Sequence, residues 1–471
     1  MKTLSGCFLS ALMVVAFAGG AQDTYSSTKS SRMNINLGGI SNFNVESRGK
    51  IEVSDDDKDI KSISADGYLE VTKTVFGSKR SIVITPQGTG LKREYFESRT
   101  PVAFEPEGRK WLSEILPELV RSTTIGAESR VNRFYRQGGS KSVLDEIGRI
   151  ESDYVKAHYA NLLMGLGVPT KDYAIIISQV SESIDSDHYM TEFLKGNMTR
   201  FIQTKESTEA VFAATRKMDS DHYKTEVIKE GLRSGPASIE NVKIIMEATS
   251  NMGSDHYKTE VLTSLLKQNN LSDAMIAEMV DATKSIDSDH YRTVVLNKAL
   301  DKPGLSSISY QKVLESVKEI DSDHYKSEVL TNMLGNSMSA EAQLNLISLI
   351  SSIESAHYAT TVANEMLKKQ TLNDEAFQML LETMGNTNSD HYVSTFLQSA
   401  LERPTLSKQN LIAILKAAGN IDSDHYVSEV LSDAAPKIKA LNDSSLKDAY
   451  RAAAKKIESD TYYGRVMKAI D

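Results

Sequence analysis

Ser186-Asp187-His188-Tyr189 opens a phrase that the chain repeats almost to its end. Its histidine returns at His222, His256, His290, His324, His357, His391 and His425, in steps of 34 residues interrupted by a single step of 33. An earlier, looser copy carries His158-Tyr159, and a later one reads Ser459-Asp460-Thr461-Tyr462. All nine histidines of the chain therefore read as occupants of one repeated slot. A fixed period of about 20–50 residues marks a stacked repeat architecture.

Each period divides into two helical patterns. The first opens on a Ser, Thr or Asn, at Thr170, Ser207, Ser238, Ser272, Ser339, Asn373, Ser407 and Ser444. The second begins at the phrase. Two helices of ~12 residues plus turns fill such a period, so each unit should be a helical hairpin. Counted from the histidine, the second helix is apolar at +1, +5, +6, +9 and +10, as in Tyr257, Val261, Leu262, Leu265 and Leu266. One hairpin cannot bury so broad a stripe, but stacked neighbours can. About ten units run from Ile150 to Asp471. The expected fold is mainly α: an α-solenoid of 34-residue hairpins preceded by a small antiparallel β domain.

Chemistry accounts for most of the phrase. In Ser220-Asp221-His222-Tyr223 and Ser254-Asp255-His256-Tyr257 the serine is placed to cap a helix with its hydroxyl. The aspartate meets the positive end of the helix dipole, and the tyrosine can fill the inter-repeat core. The histidine admits three readings. It is a scaffold imidazole bonded to a neighbouring repeat, or a metal ligand paired with a glutamate four residues on, or a catalytic group. His256/Glu260 and His425/Glu429 suit the second reading, but Val294, Thr361 and Thr395 break the pairing. Two ligands do not close a zinc site. A motif copied ten times is also unlike a unique active site, so the scaffold reading is preferred. No catalytic, cofactor-binding or metal-ligating residue is assigned, and no cofactor is expected.

The rest of the chain frames the array. Its 471 residues carry a net charge of −9, with 40% hydrophobic and 25% charged residues. That balance argues against nucleic acid or an anionic membrane surface as partner. Residues 1–21 read as a secretory signal: Lys2, an apolar run from Phe8 to Ala18, then small residues. Cys7, the only cysteine, would leave with it, and no later segment is long and apolar enough to span a membrane. Residues 22–104 show short alternating runs between turn signals, the pattern of a small β meander. Asp55-Asp56-Asp57-Lys58-Asp59 within it reads as a solvated turn. Residues 105–149 read as a helical linker that caps the array, broken at Pro117 and at Gly138-Gly139.

Residues 150–471 resemble the HEAT-type α-solenoids, although the period is shorter than theirs and the tetratricopeptide pattern is missing. The resemblance is one of architecture and transfers no functional residues. It implies an extended surface for binding macromolecules. Slot +2 is read as facing away from the core, and it holds Lys224, Lys258, Arg292, Lys326, Ala359, Val393 and Val427. As a stripe, basic and then apolar, it would be a partner-binding surface that folding hardly uses. The functional expectation is an exported, periplasmic or secreted, non-enzymatic scaffold that binds protein or peptide partners. The alternative is a metal-buffering or enzyme-accessory protein using the histidine column.

Overall fold

The computed structural model describes residues 31–37, 41–235, 238–269 and 271–471. The expected signal segment and Cys7 lie outside them. The chain divides into two compact units, one ending at Leu163 and the other running from Met164 to Asp471.

The first unit is built on strands β1 (Ser31–Leu37), β2 (Ser41–Arg48), β3 (Ile51–Val53), β4 (Ile60–Ile63), β5 (Tyr68–Val75), β6 (Ser78–Gln87), β7 (Gly90–Glu97) and β8 (Thr100–Val102). Six of them form an antiparallel sheet in the order β1-β2-β5-β6-β7-β8, and β3 with β4 makes a separate hairpin. Gly49, at φ +80°, ends β2 and separates it from β3. Alternation places Val45, Val71, Ile82 and Tyr95 in one cross-strand row, with Leu69 beside Ile84. This apolar face packs on α1 (Arg109–Ser122) through Trp111, Leu112, Ile115, Leu116, Leu119 and Val120. Helix α1 runs unbroken through Pro117, contrary to the expected break, because apolar side chains before and after the proline are held on the sheet. Helix α2 (Ala127–Ile147) does bend, at Gly138-Gly139, where Gly139 takes φ +64°.

The acidic turn after β3 is not a merely solvated one. Arg130, 1% exposed, donates to Asp57 Oδ2 at 3.0 Å and to Glu146 Oε1 at 2.7 Å. Arg133 reaches Asp57 Oδ1 at 2.8 Å, and Arg121 Nε reaches Glu146 at 2.8 Å. Asp59 receives Arg93 at 3.1 Å and Arg109 at 3.0 Å. The turn thus ties the β3–β4 hairpin to α1, α2 and β7.

In the second unit, nine helical hairpins follow among the described residues. Their second helices are Asp187–Gly196, Asp221–Ser234, Asp255–Leu266, Asp289–Leu300, Asp323–Met333, Ala356–Lys369, Asp390–Leu401, Asp424–Leu441 and Asp460–Ile470. First helices pack on first helices of the neighbouring hairpins, and second on second, giving two layers. The unit is an α-solenoid, HEAT-like in architecture. Ser238, Ser272, Ser339, Asn373 and Ser407 cap first helices as expected, and Ser306 does the same. Of the other three sites, two are capped by Thr204 and Asp443 instead of Ser207 and Ser444, and Thr170 lies in a short 3-10 turn before its helix and makes no capping bond. Slots +5, +6, +9 and +10 form the core: Val261, Leu262, Leu265 and Leu266 are fully buried.

Candidate functional site

The repeated phrase works differently from its sequence reading. Each second helix starts just after the serine, but the hydroxyls of Ser220 and Ser254 make no capping bond. It is the serine N–H that matters, and its acceptor belongs to the preceding repeat. Asp187 Oδ2 accepts from Ser220 N at 2.6 Å, and Asp221 Oδ2 from Ser254 N at 2.9 Å. The same link joins Asp255 to Ser288, Asp289 to Ser322, Asp323 to Ser355, Asp390 to Ser423 and Asp424 to Ser459. Each aspartate therefore serves its own helix dipole and the next repeat's backbone together. Removing the charged acceptor in Asp221→Ala should cost about 1.5–3 kcal/mol. Ser254→Ala should change stability by no more than about 0.5 kcal/mol. Urea denaturation of both variants checks this, and equal losses would return the cap to the serine hydroxyl.

One rung is missing. Ala356 offers no carboxylate, and Ser389 lies at φ −148°, whereas the other eight phrase serines lie between −72° and −100°. Ala356→Asp should restore the rung and stabilise the array by about 0.5–1.5 kcal/mol. A higher urea midpoint at unchanged slope is the expected reading, and a lower one would show that the turn before Ser389 cannot close.

The expected +2 stripe is not a surface. Lys224, Lys258, Arg292 and Lys326 are only 6–7% exposed, and Ala359, Val393 and Val427 are buried too. At about 100° per residue, slots +1, +5, +6, +9 and +10 cover about 100–280° of the helix, and +2 falls near the middle. The cations act inside the stack. Lys224 and Lys258 each lie 3.6 Å from their own repeat's aspartate. Lys258 Nζ donates to the carbonyl of Ser285, in the next hairpin. Arg292 donates to the carbonyl of Ile286 at 2.7 Å and to that of Glu319 in the next hairpin. Lys326 reaches Ser352 Oγ at 3.5 Å. A buried cation at the C-terminal end of the following first helix meets the negative end of its dipole and satisfies a free carbonyl.

What faces outward is the histidine. Slot 0 lies opposite the apolar stripe, and all eight imidazoles from His188 to His425 are exposed. Among the described residues none of them bonds to the backbone or an aspartate of a neighbouring repeat, the partly buried arrangement that the scaffold reading expected. They alternate with the +1 tyrosines, which are half-buried against the core instead of inside it. His222 lies 5.2 Å from the ring of Tyr223 and 5.9 Å from that of Tyr257. His256 repeats this with Tyr257 and Tyr291, at 5.2 and 5.9 Å. The pattern continues to His425 and Tyr462, 5.8 Å apart. The result is one column of alternating imidazole and phenol rings along the second-helix layer.

His158 stands outside this column, in the first unit. It is half-buried, and burial pushes its pKa down. The earlier copy of the phrase begins at Ser152-Asp153, with Tyr154 exposed in the histidine slot and Lys156 buried in slot +2 beside Asp153, at 2.8 Å. Tyr154 lies 34 residues before His188, a spacing that could have located it from sequence.

Carboxylates flank the column. Slot +4 brings Glu260 to 3.7 Å from His256 and Glu429 to 3.4 Å from His425. Glu226 and Glu260 also pair with Lys195 and Lys229 of the preceding repeats, at 2.8 and 3.1 Å. In slot −3, Asp219, Asp287, Asp321 and Asp422 are exposed. Among the described residues, no three His, Cys, Asp or Glu side chains converge as a metal site would require.

No protein-family model and no curated protein matches the chain. Among solved structures, the Puf4 RNA-binding domain bound to an RNA 3′ UTR recognition sequence aligns with 66% of this chain and 95% of its own. The identity is 13% and the TM-score 0.34. A chain solved in a computational design of self-assembling cyclic homo-oligomers covers 73% of this chain and 98% of its own, at 10% identity and TM-score 0.11. The exclusion of nucleic acid needs correcting here. It rested on net charge summed over the chain, and an RNA-bound domain stands among the structures the chain resembles. Likeness at this level transfers no ligand.

Proposed function

We propose that the protein is an exported, non-enzymatic scaffold that holds a protein partner along the imidazole–phenol column. The observation that carries this reading is the column itself: eight exposed imidazoles in register, with half-buried tyrosines between them. Side chains able to do chemistry are the same from repeat to repeat, which suits contact along a length better than reaction at a point. Aromatic groups with one wet edge supply contact area at low entropic cost. Export rests on the apolar run from Phe8 to Ala18 behind Lys2.

The test is capture by the purified protein from a fraction of exported proteins. The comparison variant carries His256→Ala, His290→Ala and His324→Ala. These imidazoles are exposed, so its melting curve should match the parent's. Partners held by the parent and lost from the variant support the reading. An unchanged set of partners would remove the column from function.

A further inference from the structure

We propose that the occupant of the column is an extended, basic segment with Lys or Arg at every third residue. This rests on the scaffold reading and gives the partner a chemistry. The first argument is at the end of the column. Thr461 has no ring, and the guanidinium of Arg465 lies over the ring of Tyr462, 5.2 Å from its centre. The column thus shows a cation on a tyrosine ring, the contact in which the ring quadrupole attracts positive charge.

The second argument is charge complementarity. Asp287 and Asp321 are exposed beside successive turns of the column, and Glu328 is exposed one helical turn beyond its imidazole, whereas Glu260 in the same slot is already paired with Lys229. A cation drawn to Tyr325 there meets Asp321 and Glu328 of the same repeat, and one drawn to Tyr291 meets Asp287.

The third argument is spacing. Packed helices repeat at about 8–10 Å. A polyproline II segment rises about 3.1 Å per residue with three residues per turn, so it returns one side chain to the same face about every 9 Å. Such a segment offers one cation to each repeat. A β-strand returns a side chain to one face only about every 6.8 Å and loses register within a few repeats.

The probe is a synthetic peptide of six Arg-Pro-Ser triplets, compared with a peptide of the same composition whose arginines are clustered. Fluorescence anisotropy on the full chain should give at least about tenfold tighter binding for the triplet peptide. Asp287→Lys with Asp321→Lys should weaken it at least about tenfold with no change in melting temperature, and raised salt should weaken it too. Tyr291→Leu with Tyr325→Leu, which keeps the apolar contact and removes the ring quadrupole, should also weaken it. Equal affinity for both peptides, or indifference to the charge reversal, would overturn the proposal, as would tighter binding of a single-stranded oligoribonucleotide. If the partner captured through the column has no basic segment, the scaffold reading stands and this assignment falls.

Discussion

Arg292→Glu should unfold the middle of the array. The guanidinium is buried and donates to the carbonyls of Ile286 and Glu319, across two hairpins. A carboxylate in its place would be a buried charge of the wrong sign against two carbonyl oxygens. Breaking a buried charged contact costs about 3–5 kcal/mol, a large part of a domain's net stability. Repeat arrays can open in parts, so the loss should first appear as faster hydrogen exchange between residues 273 and 333. Arg292→Met, similar in length and uncharged, should cost less. A glutamate variant that melts like the parent would place this side chain in solvent and restore the outward stripe.

The second large effect belongs to the first unit. Arg130→Met should destabilise it by about 3–5 kcal/mol, because it leaves Glu146, itself 1% exposed, without its closest guanidinium. Trp111, the only tryptophan, is buried in that unit's core, so its fluorescence reports the unit separately from the helical array. Acid provides an independent check. Burial pushes the Glu146 carboxyl up, but hydrogen bonds from Arg121 and Arg130 outweigh burial and hold it below the ordinary value of 4.5. A carboxyl lowered by folding contributes stability that is complete above its unfolded value and fades as pH falls through the folded one. The tryptophan transition should therefore weaken below about pH 4.5, in the parent more than in Arg130→Met. Equal acid sensitivity in the two would assign the effect to other carboxylates.

The architecture was legible because a period survives in one dimension. Stacked hairpins repeat in space as they do in the chain, so the 34-residue step and the +5, +6, +9 and +10 apolar slots named the core directly. Short β4 and β8 leave little mark in the sequence, since three or four residues carry little alternation. The surface was misread through an error of angle. Slot +2 follows the half-buried tyrosine, and a lysine there looks exposed until its position around the helix is worked out. The same construction puts the histidine at the centre of the outward face. The aspartate rung was not legible at all. Its acceptor and donor lie about one period apart, and the donor is a backbone N–H, which no side-chain pattern records.

That rung has a consequence for how the chain can change length. Except across the Ala356 joint, each interior hairpin gives one carboxylate forward and takes one from behind, so the units along that ladder are interchangeable at their joints. Excising residues 223–256 would join His222 to Tyr257 and rewrite the phrase as Ser220-Asp221-His222-Tyr257. Asp221 would then stand where Asp255 stood, facing Ser288. A coding sequence that gains or loses one period by slippage thus inherits a closed ladder and a ruler one mark longer or shorter, with no new end to invent.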